Sequence, residues 1–217
     1  MPVWILGVAA VGGYMAWSWF NDARRRLRDE IRKVPRVPLR DAPENQTVRL
    51  TGVLRHVDPD NALEAPISLR ACAAWHVTAS RQDDEDWTKV LDVCESQSFI
   101  LEDGDDVAYV DATTLELLLH ADADEKNGFM RAIAPHVEAF LRSHDVDING
   151  ILFQKPVRVQ EGVLEEGERI TVVGRGRWVT DPSRTRHGYR EVGRRFELGP
   201  MADGRLLASD EVALTGD

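Results

Sequence analysis

The sequence predicts an α+β fold that is β-rich and antiparallel, with OB-like barrel elements and one Pro-broken amphipathic helix, behind an N-terminal transmembrane helix. Three observations predict it. Eighteen residues, Val3–Phe20, pass without a formal charge. From residue 46 onward, short β-branched and aromatic runs alternate with Gly, Asn and Asp turn signals. Helical spacing is confined to Phe129, Ile133, Val137, Phe140 and Leu141, which recur at intervals of three and four.

The apolar run VWILGVAAVGGYMAWSWF spans about 27 Å at 1.5 Å per residue, enough for a hydrocarbon core. Trp4 marks one end, and Trp17 and Trp19 the other, as interfacial aromatics do. No charge precedes the run and bulky aromatics end it, which is the wrong pattern for a cleaved signal peptide. Residues 1–20 are therefore read as a spanning helix. Residues 21–44 form a basic juxtamembrane segment and an extended spacer containing Pro35, Pro38 and Pro43. Arg24, Arg25, Arg26 and Arg28 lead its positive charges and place residues 24–36 on anionic headgroups. The positive-inside bias of a bacterial plasma membrane then puts residues 45–217, the soluble domain, in the cytoplasm.

Within that domain, strands are expected at Thr47–Leu54, Ile67–Ala79, Trp87–Leu101, Val107–Val110, Leu115–Leu119, Val157–Gln160, Arg169–Val173, Arg194–Leu198 and Arg205–Ala208. Asp103-Gly104 and Asn149-Gly150 supply turns. Pro135 is expected to kink the helix or split it in two. Arg49–Val53 and Arg169–Gly174 resemble each other loosely, as strands that end in a Gly bend of a small OB-like barrel would.

Composition excludes several function classes. A net charge of −10 does not suit a nucleic-acid binder, which needs a basic footprint. Charge is also uneven. Fifteen acids fall in residues 81–125, whereas the C-terminal third is rich in Arg, so either segment can serve as a contact surface or as solvated loop. Two cysteines, Cys72 and Cys94, are too few for a disulfide scaffold. If Gln82–Asp86 is a hairpin loop, the two lie near each other on paired strands, and two buried thiols are expected rather than a bridge. No histidine pair has zincin spacing. Asp122–Gly128 resembles a calcium loop but has Lys126 where an oxygen ligand belongs, and it reads as a solvated turn. No serine sits in a G-x-S-x-G elbow. Gly174-Arg175-Gly176 leads into Trp178 and a strand rather than a helix, so it reads as strand glycines under a close backbone approach. No catalytic residue, cofactor site or metal site is expected.

The segments VRLTGVLRHVDPDNALEAPISLRACAAWHVT, SFILEDGDDVAYVDA and VLEEGERITVVGRGRW, behind a spanning helix, resemble the GIDE-type or BAM ("beside a membrane") domain. That domain occurs in organellar membrane-anchored RING ubiquitin ligases and their bacterial relatives. Ala65-Pro66-Ile67-Ser68 with Cys72, Phe99–Gly104, and Leu164–Gly174 carry the resemblance most specifically. It implies a domain that recruits or senses partners. In the ligases, ubiquitin transfer depends on a RING with eight Cys/His zinc ligands, and no cysteine follows Cys94 here.

The expected function is a single-pass membrane-anchored binding or scaffolding module with an unknown protein partner. The alternatives are a ubiquitin-ligase-like family member and a lipid- or envelope-stress-associated protein. Candidate partner contacts are Asp83, Asp84, Glu85, Asp86 and Trp87, together with Arg184, Arg186, Tyr189 and Arg190.

Overall fold

The computed structural model describes residues 24–83, 86–126, 133–146, 156–185 and 192–216. The expected spanning helix at 3–20 and the Asn149-Gly150 turn lie outside them. No helix among the described residues is long and apolar enough to cross a membrane.

Five strands close on themselves: β1 (Thr47–His56), β6 (Phe99–Asp103), β7 (Asp106–Val110), β12 (Val192–Gly199) and β11 (Arg169–Thr185), which pairs back to β1. All neighbours in this ring are antiparallel except β7 and β12. The two-fold period of the sequence decides the interior. Along β1 the even positions Val48, Leu50 and Leu54 point inward, and Ile170 and Val172 of β11 meet them. Phe99, Leu101, Phe196 and Leu198 complete a dry core. Two glycines allow the strands to close. A Cβ on Gly52 would run into the Glu102 carbonyl, and one on Gly176 into that of Glu197. Close backbone approach is the role expected for the Gly174–Gly176 stretch, and it holds.

Two insertions build a second layer. Between β1 and β6 come the short pair β2 (Leu63–Glu64) and β3 (Ala71–Cys72), then the hairpin β4 (Ala74–Asp83) and β5 (Asp86–Ser96). Between β7 and β11 come β8 (Leu115–Leu118), β9 (Ala123–Lys126), the helix α2 (Pro135–Ser143) and β10 (Val157–Leu164). The insertions meet in an antiparallel sheet ordered β5-β4-β10-β9, whose apolar face packs under α2 through Trp75, Val77, Val137, Leu141 and Val159. Pro135 occupies the first turn of α2, where its missing N–H costs nothing, so it starts the helix instead of kinking it. The would-be calcium loop is not a turn either: its first residues form β9, paired with β10. Cys94 lies opposite His76 and is exposed, whereas buried Cys72 lies opposite Leu63, so the two free thiols are not cross-strand neighbours.

The larger departure is at the N-terminal end. Residues 24–33 are helical (α1), and residues 34–45 strap the chain along the barrel instead of forming a free spacer. The Val37 amide donates to the Arg49 carbonyl, the Leu39 amide to Asp103, and the Asn45 amide to the Gly176 carbonyl. The Trp178 indole N–H donates to the Ala42 carbonyl. Burial of Leu39 and Ala42 fixes the strap further. The folded body therefore begins at least twenty residues ahead of position 45.

Gly52→Ala is expected to destabilise the protein by roughly 1–3 kcal/mol, because backbone rather than a movable side chain opposes the new methyl. A thermal melt of the variant reads this directly, and an unchanged midpoint would contradict the closure described.

Candidate functional site

The amphipathic logic of α1 is visible once its docking is known. Leu27, Ile31 and Val34 line one face and pack on Leu118, Val173, Leu207 and Leu214, the outer surface of the barrel. Leu207 comes from β13 (Leu206–Ser209), which pairs between β11 and β8, and Leu214 from the short helix α3 (Val212–Thr215). Ile31 is fully buried, and burial of such a side chain contributes about 1.5–3 kcal/mol.

Polar clasps flank this apolar seam. Arg28 grips Glu211 bidentately, with Nε and Nη2 each 2.6 Å from a carboxylate oxygen. Arg24 donates to the Leu119 carbonyl at 2.5 Å and lies 3.6 Å from Glu211. Arg205 gathers Glu30, Asp203 and Glu116. Burial pushes the Glu211 carboxyl up, but the Arg28 hydrogen bond and the two cations outweigh it, so the net shift is downward. The Arg28 hydrogen bond with Glu211 correspondingly raises the guanidinium. A depressed carboxylate stabilises the fold above its ordinary range near pH 4.3 and loses that contribution as pH falls through its folded value.

The clasps sort the expected membrane-surface arginines. Arg24 and Arg28 turn toward the domain, while Arg25 and Arg26 stay exposed beside Arg32, Lys33 and Arg36. The outward face thus keeps five cations against Asp29. Spacing of 27, 31 and 34 was a legible sign of docking, but the charges around it favoured a purely surface reading.

Of the expected partner contacts, Trp87 is 42% exposed, beside the tip of the β4–β5 hairpin and opposite Gln82. Asp83 and Asp86 pair across that hairpin, and Arg184 lies in β11. Asp84, Glu85, Arg186, Tyr189 and Arg190 lie outside the described residues.

Two polar clusters were not anticipated. On the β4–β5 hairpin, His76 Nε2 lies 2.6 Å from Asp92, which Lys89 also contacts, and Cys94 is His76's cross-strand neighbour. The His76 hydrogen bond leads the shift of the Asp92 carboxyl down to about 2. The grouping has the residue types of a thiol triad but not its electrostatics. Burial and Asp92 both push the Cys94 thiol up, away from thiolate. The second cluster is structural. Glu161, fully buried on β10, accepts the amides of Ile67 (2.8 Å) and Ser68 (2.9 Å), and His136 donates to the Ile67 carbonyl. This staples the Ala65–Leu69 loop, with Leu69 at φ +58°, to the second sheet. Burial, then Glu161 and Glu165, push the nearby Cys72 thiol up to about 12, so it is an inert core group. Among the described residues, no group of three His, Cys, Asp or Glu side chains is arranged to hold a metal ion.

Comparison with known protein families, with curated proteins and with solved structures returned no match.

Glu211→Ala should loosen α1 without unfolding the barrel. A charged hydrogen bond contributes roughly 1.5–3 kcal/mol, cut to about 1 here because Arg28 is one-third exposed. Hydrogen exchange in residues 24–33 should accelerate about fivefold while barrel amides stay protected. In the native chain that protection should hold above the ordinary glutamate range near pH 4.3 and weaken as the pH falls below it. For the hairpin, the Asp92 carboxyl followed by NMR should titrate near pH 2, and His76→Gln should return it toward about 3.9. Its stabilising contribution is complete above about pH 4 and lost between there and pH 2. A midpoint that ignores the substitution would break the His76 assignment.

Proposed function

We propose that this chain is a single-pass membrane-anchored binding and scaffolding module, in which a β-rich body is mounted directly against the bilayer. The observation that carries the reading is the clasp of α1 onto the barrel by Arg28 and Glu211. If residues 3–20 span the membrane, only three residues separate Phe20 from Arg24, at most about 14 Å of extended chain. A helix locked to the domain at that point leaves at most these three residues as linker, so the body is held close to the membrane plane.

The outward cations Arg25, Arg26, Arg32, Lys33 and Arg36 suit anionic headgroups, each contributing about 1 kcal/mol near the surface. Positive charge on this side of the span favours a cytoplasmic domain in a bacterial plasma membrane. The resemblance to GIDE-type domains supports the same picture of a body that recruits a partner beside a membrane. The ring order β1-β6-β7-β12-β11, with one parallel pair, supports its OB-like barrel. Exposed Trp87, with an acidic hairpin tip, is the partner contact we favour. Nothing in the described side chains supplies ubiquitin-transfer chemistry, so the ligase-like alternative rests on the resemblance alone.

The full chain is expected to stay in the membrane pellet after carbonate or high-salt washing, and a photo-crosslinking residue in place of Trp87 should capture a discrete protein adduct in native membranes. Release by carbonate without proteolysis would end the anchoring claim. Membrane-resident protein that yields no adduct would end the claim on Trp87.

A further inference from the structure

One cleft on the barrel's outer surface is used by neither the membrane mount nor the Trp87 tip. It has a volume of about 440 Å³, within the range of small-molecule sites. Its floor is set by register. Ala108, Val110, Phe196 and Leu198 face the core, so Tyr109, Glu197 and Gly199 face out. Glu197 lies between Tyr109 on β7 and Arg177 on β11, and Gly199 lies opposite Arg175.

Gly199 is the informative residue. Its backbone is not left-handed, and a Cβ built there meets nothing within 4 Å. Neither a positive φ nor packing asks for glycine at this last residue of β12. What the missing side chain does is keep the cleft open beside Arg175, its cross-strand neighbour. A bare strand position of this kind is where a ligand approaches the backbone.

Charge bookkeeping names the ligand. Glu197 is held by Arg177 at 3.6 Å and Arg195 at 3.3 Å. Asp111, at the rim, already accepts from the Thr113 amide and hydroxyl. Of the two lining cations, Arg175 is the one that no described acid pairs with, while Asp111 keeps its own negative charge at the rim. The Tyr109 ring adds apolar wall. We propose that this cleft binds a small ligand with an apolar or aromatic body and one oxyanion, carboxylate or phosphate, with the anion on the Arg175 guanidinium and the body over Gly199 against Tyr109. A planar guanidinium suits either oxyanion bidentately.

The test uses the full chain in detergent micelles, with phenylacetate, phenyl phosphate and uncharged phenylacetamide as probes, followed by ligand-observed saturation-transfer NMR. Ligands this small should bind at about millimolar Kd. At least one anion should bind tenfold or more tightly than the amide, and comparing the two anions identifies the oxyanion. Gly199→Leu, which fills the cleft and removes no charge, and Arg175→Gln should each weaken binding at least tenfold with the melting temperature unchanged. Equal binding of the amide, binding indifferent to both substitutions, or no anion binding at all would overturn the proposal. None of these outcomes bears on membrane anchoring.

Discussion

Everything in this molecule is organised by one short stretch of β11 that is apolar on both faces. Ile170 and Val172 point into the barrel, while Val173 points out beneath α1. Its two edges are also taken, by β1 on one side and β13 on the other. A strand buried on both faces and paired on both edges has no contact with water, so each of its backbone polar groups must find a partner within the protein. The hydroxyls of Thr51 and Thr171 lie 2.9 Å apart, and Thr171 donates to the Leu214 carbonyl, so the polar groups at this junction find partners.

From that constraint follows the coupling between the two ends of the chain. The outer face of β11 is covered by elements from both termini, α1 ahead of the barrel and α3 after it, and Arg28 and Glu211 tie the two together. The four-residue α3 would not persist alone. Packing on the barrel supplies what propensity cannot. The mechanical result is a domain held by the same helix that leads toward the expected membrane span, which is the property a membrane-proximal platform needs.

The two insertions illustrate how a barrel acquires a second layer without a second domain. They leave the ring at different points and meet as one sheet, with buried Glu161 as the polar pin between them. A buried carboxylate is costly unless hydrogen-bonded, and two backbone amides answer that need. Cys72, His136 and Glu161 serve here as packing and staples.

What the sequence determined by itself were features written in local period and composition. The strands at Thr47, Val107, Leu115, Val157, Arg169 and Arg194 follow from alternation and turn residues, and the Asp103-Gly104 turn from its chemistry. The absence of charge over residues 3–20 is likewise a feature of the local sequence. Only the tertiary structure decided ring closure, because the partners that make Gly52 and Gly176 necessary lie on other strands. It also decided that Pro135 begins a helix, that Arg24 and Arg28 face inward while Arg25 and Arg26 face out, and that Gly199 leaves a cleft beside Arg175. Charge and spacing along one segment state what a side chain is able to do, but the acid it meets lies 183 residues away for Arg28, and folding alone brings it there.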